Sequence, residues 1–238
     1  MKKLICMFLV MLSTTTVVFA ERYNFVDLLD MVSMSGSIKS ANGASVDNAI
    51  NRVLDKNPDY LNKTFYQDTL LNAAASAGRV DLMKNLIKRG ARLDVPEAQV
   101  PMISAAMFGR VNVIEYLLSI GDNPNKQHFV TLQTPLMVAI TFNQDEVVDL
   151  LLQQNDIDVN LVNNSNKTAL QIAFKYKRYD YCEKLLKKGA KPNEKLVNNE
   201  EFAKRFGKYI INNDTAYDKL KTELDKVFQN INITYNFG

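Results

Sequence analysis

The chain has 238 residues, with 47% hydrophobic and 23% charged side chains and a formal net charge of +3. That composition provides a core, and the balanced charge makes no case for nucleic acid as a partner. Two cysteines and one histidine leave little material for a disulfide framework, thiol chemistry or a zinc site.

The first twenty residues, "MKKLICMFLVMLSTTTVVFA", place Lys2 and Lys3 before an apolar run that ends in Val18-Phe19-Ala20, the small-x-small pattern of a signal-peptidase site. Cleavage after Ala20 is the expectation, giving a chain exported to a periplasm or secreted. Loss of Lys2 and Lys3 leaves 27 basic against 26 acidic residues, a nearly neutral product with no membrane association of its own. Lys-, Asn- and Ile-rich usage points to an AT-rich bacterial genome. Cys6 leaves with the signal, so Cys182 stands alone and stability rests on packing.

Residues 21–45 read as a lead helix around Phe25 to Val32 and a Ser/Gly-rich loop, expected to be flexible. Within residues 46–68, the stretch "VDNAINRVLDKNPDYLN" carries the apolar stripe Ala49, Ile50, Val53 and Leu54 of a degenerate capping repeat.

Four similar segments come next. They begin at Thr69, Val100, Thr134 and Thr168, at intervals of 31, 34 and 34 residues, and define units at 69–99, 100–133, 134–167 and 168–197. A fixed period of this size marks a stacked array whose units cannot bury their apolar faces alone. Ala74, Ala105, Ala139 and Ala173 let the first helix of each unit approach its neighbour closely, and Leu86, Leu117, Leu151 and Leu185 recur on the second. Gly90, Gly121 and Gly189 stand where a left-handed cap ends that helix, with Asn155 at the matching place in the third unit. Cys182 shares its register with Met83, Ile114 and Val148, which puts it in the core.

The segments resemble ankyrin repeats, with their T-P-L-H-x-A-A-x-x-G, V/I-V-x-L-L-L and G-A-D-x-N signatures. Thr134, Pro135, Leu136 and Ala139 carry the first of these in the third unit, Pro101, Ala105, Ala106 and Gly109 in the second, and Thr168, Leu170, Ala173, Gly189, Ala190 and Asn193 span the fourth. The His is missing throughout, and Asn143 and Lys177 replace the helix-ending Gly. The resemblance implies an all-α helical solenoid of helix-turn-helix units with short hairpin tips and helical caps at both ends. Residues 198–238 are the C-terminal cap, with Phe202, Phe206 and Ile210 on one helical face and Tyr217, Leu220, Leu224 and Phe228 on the next.

No HExxH, CxxC, P-loop, GxSxG or SxxK pattern occurs. His128 falls in a loop between units and is expected to be solvated, and Asp145, Glu146 and Asp149 to be a solvated helix start. Asp94, Asn125, Asn160 and Asn193 share a turn position that local side-chain to backbone bonding explains. The chain therefore reads as a non-enzyme, without cofactor or metal, acting as a monomer on another protein.

The resemblance places partner binding in the concave groove. One groove position reads Ala77, Phe108, Phe142 and Tyr176, three rings in consecutive units that can anchor a protein surface or pack between units. Met107, Thr141 and Lys175 flank them. The tip "KQHFVTLQT" offers Phe129, and Arg110 belongs to a column with Arg79, Gln144 and Arg178 that could meet an acidic partner. The alternatives are a secreted effector acting on host proteins, or an enzyme whose site lies in the C-terminal helices.

Overall fold

The computed structural model describes residues 24–35 and 43–211. The signal segment 1–20 and the second C-terminal helical stretch, with Tyr217, Leu220, Leu224 and Phe228, lie outside them.

Twelve α-helices and one 3-10 turn make up the described residues, with no named strand. Each unit starts with a short inner helix whose entry is fixed by its first residues. Thr69, Thr134 and Thr168 accept at their side-chain oxygens from the backbone N–H of Asn72, Met137 and Gln171, satisfying one of the donors a helix start leaves open. Pro101 and Pro135 occupy the first turn, where no N–H is needed. The inner helices are α3 (Leu70–Ala77), α5 (Pro101–Met107), α7 (Pro135–Phe142) and α9 (Ala169–Lys175). Antiparallel outer helices succeed them: α4 (Val80–Lys88), α6 (Val111–Ser119), α8 (Asp145–Gln153) and α10 (Tyr179–Lys187).

A left-handed residue makes each reversal between inner and outer helix: Gly78, Gly109, Asn143 and Lys177, with φ of 77°, 65°, 58° and 56°. At Gly109 a Cβ would meet only the amide group of Gln144, the movable end of a side chain, so the left-handed φ is the reason for glycine there. Asn143 and Lys177 take the same conformation despite their side chains, which is where the repeat signature and the backbone geometry part company.

Consecutive inner helices pack directly on one another, and so do the outer ones. Ala74, Ala105, Ala139 and Ala173 are fully buried at the inner contacts, and Leu86, Leu117, Leu151 and Leu185 are fully buried in one continuous core. Met83, Ile114, Val148 and Cys182 form a second fully buried row of that core. Burial pushes the Cys182 thiol up to about 12, so at neutral pH it is a core thiol and not a nucleophile.

At the N-terminal end the structure corrects the expectation of a flexible lead. Helix α1 (Phe25–Ser35) lies on α3, with Phe25, Leu28, Leu29, Met31 and Val32 buried, and α2 (Gly43–Lys56) is its outer partner. Asn24 caps α1 by accepting from the N–H groups of Val26 and Asp27, while Asp27 accepts from Asn24 N–H. A helix pair thus precedes the four repeats; its inner member reads as a helix in the sequence, but its packing on α3 does not. At the other end α11 (Glu194–Val197) and α12 (Glu200–Ile211) close the stack, with Phe202 meeting Phe174 edge-on at 5.1 Å. The described part of this cap starts at Glu194, inside the segment assigned from sequence to the fourth unit.

Polar side chains tie units together. Asn62 donates to Gly90 O and accepts from Arg92 N–H; Asn125 does the same with Asp156 and Asp158, and Asn160 with Gly189 and Lys191. The shared turn position is therefore a ladder between neighbours and not a local turn device. Asn193 alone keeps the local role, capping α11 at Leu196 N–H. Asp94, which has no side-chain donor, pairs with Arg92 instead. The Asp145 and Asp149 carboxylates also face a neighbour: Tyr181 donates its hydroxyl to Asp145, and Lys184 meets Asp149 at 2.5 Å.

Asn155 does not cap α8. The helix ends at Gln154, whose backbone is extended and whose side chain donates to Leu150 O, because the extra residue beside Ile157 lets the chain leave without a left-handed step.

Candidate functional site

The groove floor is made by the exposed side of the inner helices. Phe108, Phe142 and Tyr176 stand at the same helix end in three consecutive units and are 51%, 50% and 46% exposed. The rest of each ring is covered, and Ala105, Ala139 and Ala173 at the inner-helix contacts are fully buried. Ala77 holds the equivalent position in the preceding unit and is buried. Met107 and Thr141, one residue earlier, are half-buried, and the Thr141 hydroxyl is occupied by Met137 O at 2.8 Å. Lys175 is exposed, with its ammonium 5.5 Å from the Tyr176 ring centre.

Arg110 has an intramolecular task. Its Nε donates to Ser76 O at 2.7 Å, and its side chain lies against Gly78. Gln144 repeats the device on Met107 O at 3.0 Å, while Arg79 pairs with Asp47 at 2.7 Å. These donors satisfy carbonyls at the end of the preceding inner helix or bind its outer neighbour, which accounts for three of the four members of the column without a partner. Arg178 differs: it is exposed and in no salt bridge among the described residues.

The opposite rim consists of the tips that precede the inner helices, about 10 Å from the rings given a rise of about 1.5 Å per residue over seven or eight residues. Phe129, Val130 and Leu132 are exposed there. Their loop is built on His128, which is buried and not solvated. Its Nδ1 accepts from the N–H groups of Val130 and Thr131, both at 3.2 Å, while its backbone bonds Gln133 O and Leu132 N–H. Two donors converging on Nδ1 require the neutral ring with its proton on Nε2, and burial lowers its pKa. Gln127 and Asn164 join this tip to the next one through Leu132, Val162, Val130 and Thr131. The first tip adds Phe65 and Tyr66, the latter 88% exposed at a left-handed φ of 49°. This aromatic pair was overlooked in the sequence, where its signal was two rings inside an otherwise polar turn.

Among the described residues no group of His, Cys, Asp or Glu is placed to hold a metal ion. No helix among them is long and apolar enough to cross a membrane.

The family model described as "Ankyrin repeats (3 copies)" matches residues 38–128 and 120–195. The chain belongs to the ankyrin-repeat family. Ankyrin repeats are protein–protein interaction modules, and the exposed groove is consistent with that use. Among relatives, the human "Transient receptor potential cation channel subfamily A member 1" is 35% identical over 51% of this chain and 11% of its own length. "Alpha-latrocrustotoxin-Lt1a" of Latrodectus tredecimguttatus is 31% identical over 49% of this chain and 8% of its own. The "Putative E3 ubiquitin-protein ligase XBAT31" of Arabidopsis thaliana is 26% identical over 59% of this chain and 34% of its own. The chain thus matches about a tenth of the first two proteins and a third of the last.

Proposed function

We propose that this ankyrin array is a non-catalytic module that holds a partner protein in its concave groove, in the cell envelope or outside the cell. The observation that carries the reading is the set of half-exposed rings of Phe108, Phe142 and Tyr176, in register on an array with one continuous core. A stiff wall loses little conformational freedom on association, so a few well-placed rings can dominate the affinity. Phe129 on the facing rim and Met107 and Thr141 on the floor extend the contact. Arg110, whose Nε is committed to Ser76 O, is left with its remaining donors for such a contact. Export rests on the sequence of residues 1–20 alone.

Photo-crosslinking in the native host tests the groove. A benzophenone side chain at position 142 should give a discrete, saturable adduct, and one at Lys88 on the outer face should not. Equal labelling from both positions, or none from 142 and 129, removes the groove as the binding face. Fusion of an export reporter after residue 45 tests the destination: activity in the envelope is expected, and its confinement to the cytoplasm rejects export.

A further inference from the structure

The tip that carries Phe129, Val130 and Leu132 is held from two sides through the same two residues. The N–H groups of Val130 and Thr131 donate to His128 Nδ1. Their carbonyls accept from Asn164 of the next tip, Val130 O from its side-chain Nδ2 at 3.2 Å and Thr131 O from its backbone N–H at 3.0 Å. A continuous path of hydrogen bonds therefore joins the imidazole to the neighbouring unit. The His128 backbone closes the same loop, donating to Gln133 O at 2.9 Å and accepting from Leu132 N–H at 2.8 Å. Leu132 sits at a left-handed φ of 51°, a conformation that a bulky side chain keeps only under constraint.

A proton on Nδ1 is incompatible with this arrangement. An imidazolium carries N–H on both nitrogens and has no acceptor, so the charged ring would aim a donor at two other donors. Turning the ring over leaves Val130 and Thr131 N–H without an acceptor all the same. The charged groups of the adjoining segments give no compensation. Asp122 and Lys126 on the same connection pair with each other, Asp94 on the preceding tip pairs with Arg92, and Glu97 there is exposed. Asp156, Asp158 and Lys167 of the following unit are exposed, and the inner helices α5 and α7 carry no charged residue. None of these groups bonds the imidazole, and burial is what lowers its pKa.

We infer that His128 is an acid-sensitive latch: when its ring becomes charged, the tip at 127–133 lets go of Asn164, and the rim bearing Phe129, Val130 and Leu132 rearranges while the core of the array stays folded. The latch stands apart from the groove reading, and it makes any contact at this rim dependent on pH. In the released tip the ring titrates near its ordinary 6.5, in the latched tip only at lower pH. The released form thus binds the proton more tightly. Between those two values its share rises about tenfold for each unit of falling pH, and above pH 7 the effect vanishes.

Amide hydrogen exchange followed by NMR on the full chain, between about pH 7.5 and 5, tests the latch. After correction for the intrinsic pH dependence of exchange, protection of the Val130, Thr131 and Asn164 amides should fall together, about tenfold per unit below pH 6.5. The Val148 and Leu151 amides in the core should keep theirs, and the ring should titrate below 6.5. His128→Asn, which offers an acceptor that does not titrate, should show flat protection at all three amides. Asn164→Ala loosens the far side of the path, so it should raise the apparent pKa of His128 toward 6.5 by reciprocal coupling.

A ring that titrates at its ordinary value or above overturns the latch, as do Val130 and Thr131 amides that are unprotected at neutral pH or insensitive to acid. Release of those two amides without Asn164 also overturns it, and so does an acid response that persists in His128→Asn. Loss of Val148 and Leu151 protection at the same pH means that the whole array opens and not the tip, which rejects the latch as well.

Discussion

Asn125 Oδ1 accepts the backbone N–H of Asp158 at 2.8 Å while its Nδ2 donates to Asp156 O at 2.7 Å, so one amide joins two units by both of its ends. Only an amide offers both polarities at that distance. Asn125→Asp removes the donor and brings a charge beside Asp156 and Asp158, and should destabilise by about 1–2 kcal/mol in urea unfolding. At the gap in the ladder the reverse change, Asp94→Asn, should stabilise by about 0.5–1 kcal/mol, since the Arg92 pair it gives up is solvent-exposed and worth little. A gain from Asn125→Asp, or a loss from Asp94→Asn, contradicts the ladder's role.

A second prediction concerns acid. His128 is folded neutral with its pKa below the usual 6.5, and burial is the cause. In the unfolded chain the ring takes up a proton below about pH 6.5, whereas the folded ring takes it up only at lower pH. The unfolded state therefore binds more protons across that window, and stability should decline as pH falls through it. Above pH 7 both states are neutral and the effect vanishes. His128→Asn keeps an acceptor for Val130 and Thr131 N–H without titrating, so its unfolding free energy should fall less between pH 7 and 5 than that of the parent. Parallel curves for the two proteins would refute this.

The periodic half of the molecule was legible because its signals are local. Leucines, alanines and cap residues recur at fixed offsets, and Cys182 could be placed by comparison with Met83, Ile114 and Val148. The features that escaped depend on contacts some thirty residues apart, or on a break in the period. Asn125 and Asn160 bind the next unit, Arg110 and Gln144 the preceding one, and none of this is visible within a single repeat. His128 looked like loop material because the burial of its ring is imposed by backbone groups folding around it. Helix α1 was legible, but its packing on α3 was not, because the Ser/Gly-rich stretch after it reads as a flexible connection; in the third unit, which has an inserted residue, α8 ends at Gln154 and not at Asn155. In the groove, the shared register of the rings was readable, but how much of each ring stays in water is set by the surrounding fold and is not visible within a single repeat.

Helix entry supplies a third prediction. Val100 stands where Thr69, Thr134 and Thr168 cap their helices, and it has no side-chain oxygen to offer. Val100→Thr is nearly isosteric and the backbone there is already extended, at φ −80° and ψ 125°. It should raise stability by about 0.5–1 kcal/mol, and Thr134→Ala should lower it by about 1 kcal/mol. Thermal melts of the two variants measured against the parent decide both signs.

The core seam supplies the fourth. Leu151 is fully buried between neighbouring units, so Leu151→Ala leaves a cavity and should cost about 2–5 kcal/mol. Cys182 lies in the adjoining buried row and reports on the same event. A thiol reagent should label the native parent slowly at pH 8, because the thiol is both covered and far above its ordinary pKa. Labelling of Leu151→Ala should accelerate in step with its loss of stability. Fast labelling of the native parent would place Cys182 at the surface.

The last prediction separates binding from packing at the ladder. Phe108 and Phe142 each leave about half their surface in water, at 51% and 50% exposed, while Ala105, Ala106 and Ala139 are fully buried. Serine at both ring positions would uncover about 100 Å² of apolar surface per ring and cost about 2–5 kcal/mol whatever the rings do, whereas leucine keeps most of the buried half of each side chain, so the double leucine variant should lose no more than about 1 kcal/mol. Ala106→Leu makes the useful contrast: overpacking at that fully buried position should cost about 1–3 kcal/mol. If the double leucine variant instead melts as early as Ala106→Leu, the rings hold the units together and their exposure is incidental. If it melts with the parent, any loss of partner binding belongs to the rings themselves, because the wall that presents them is unchanged.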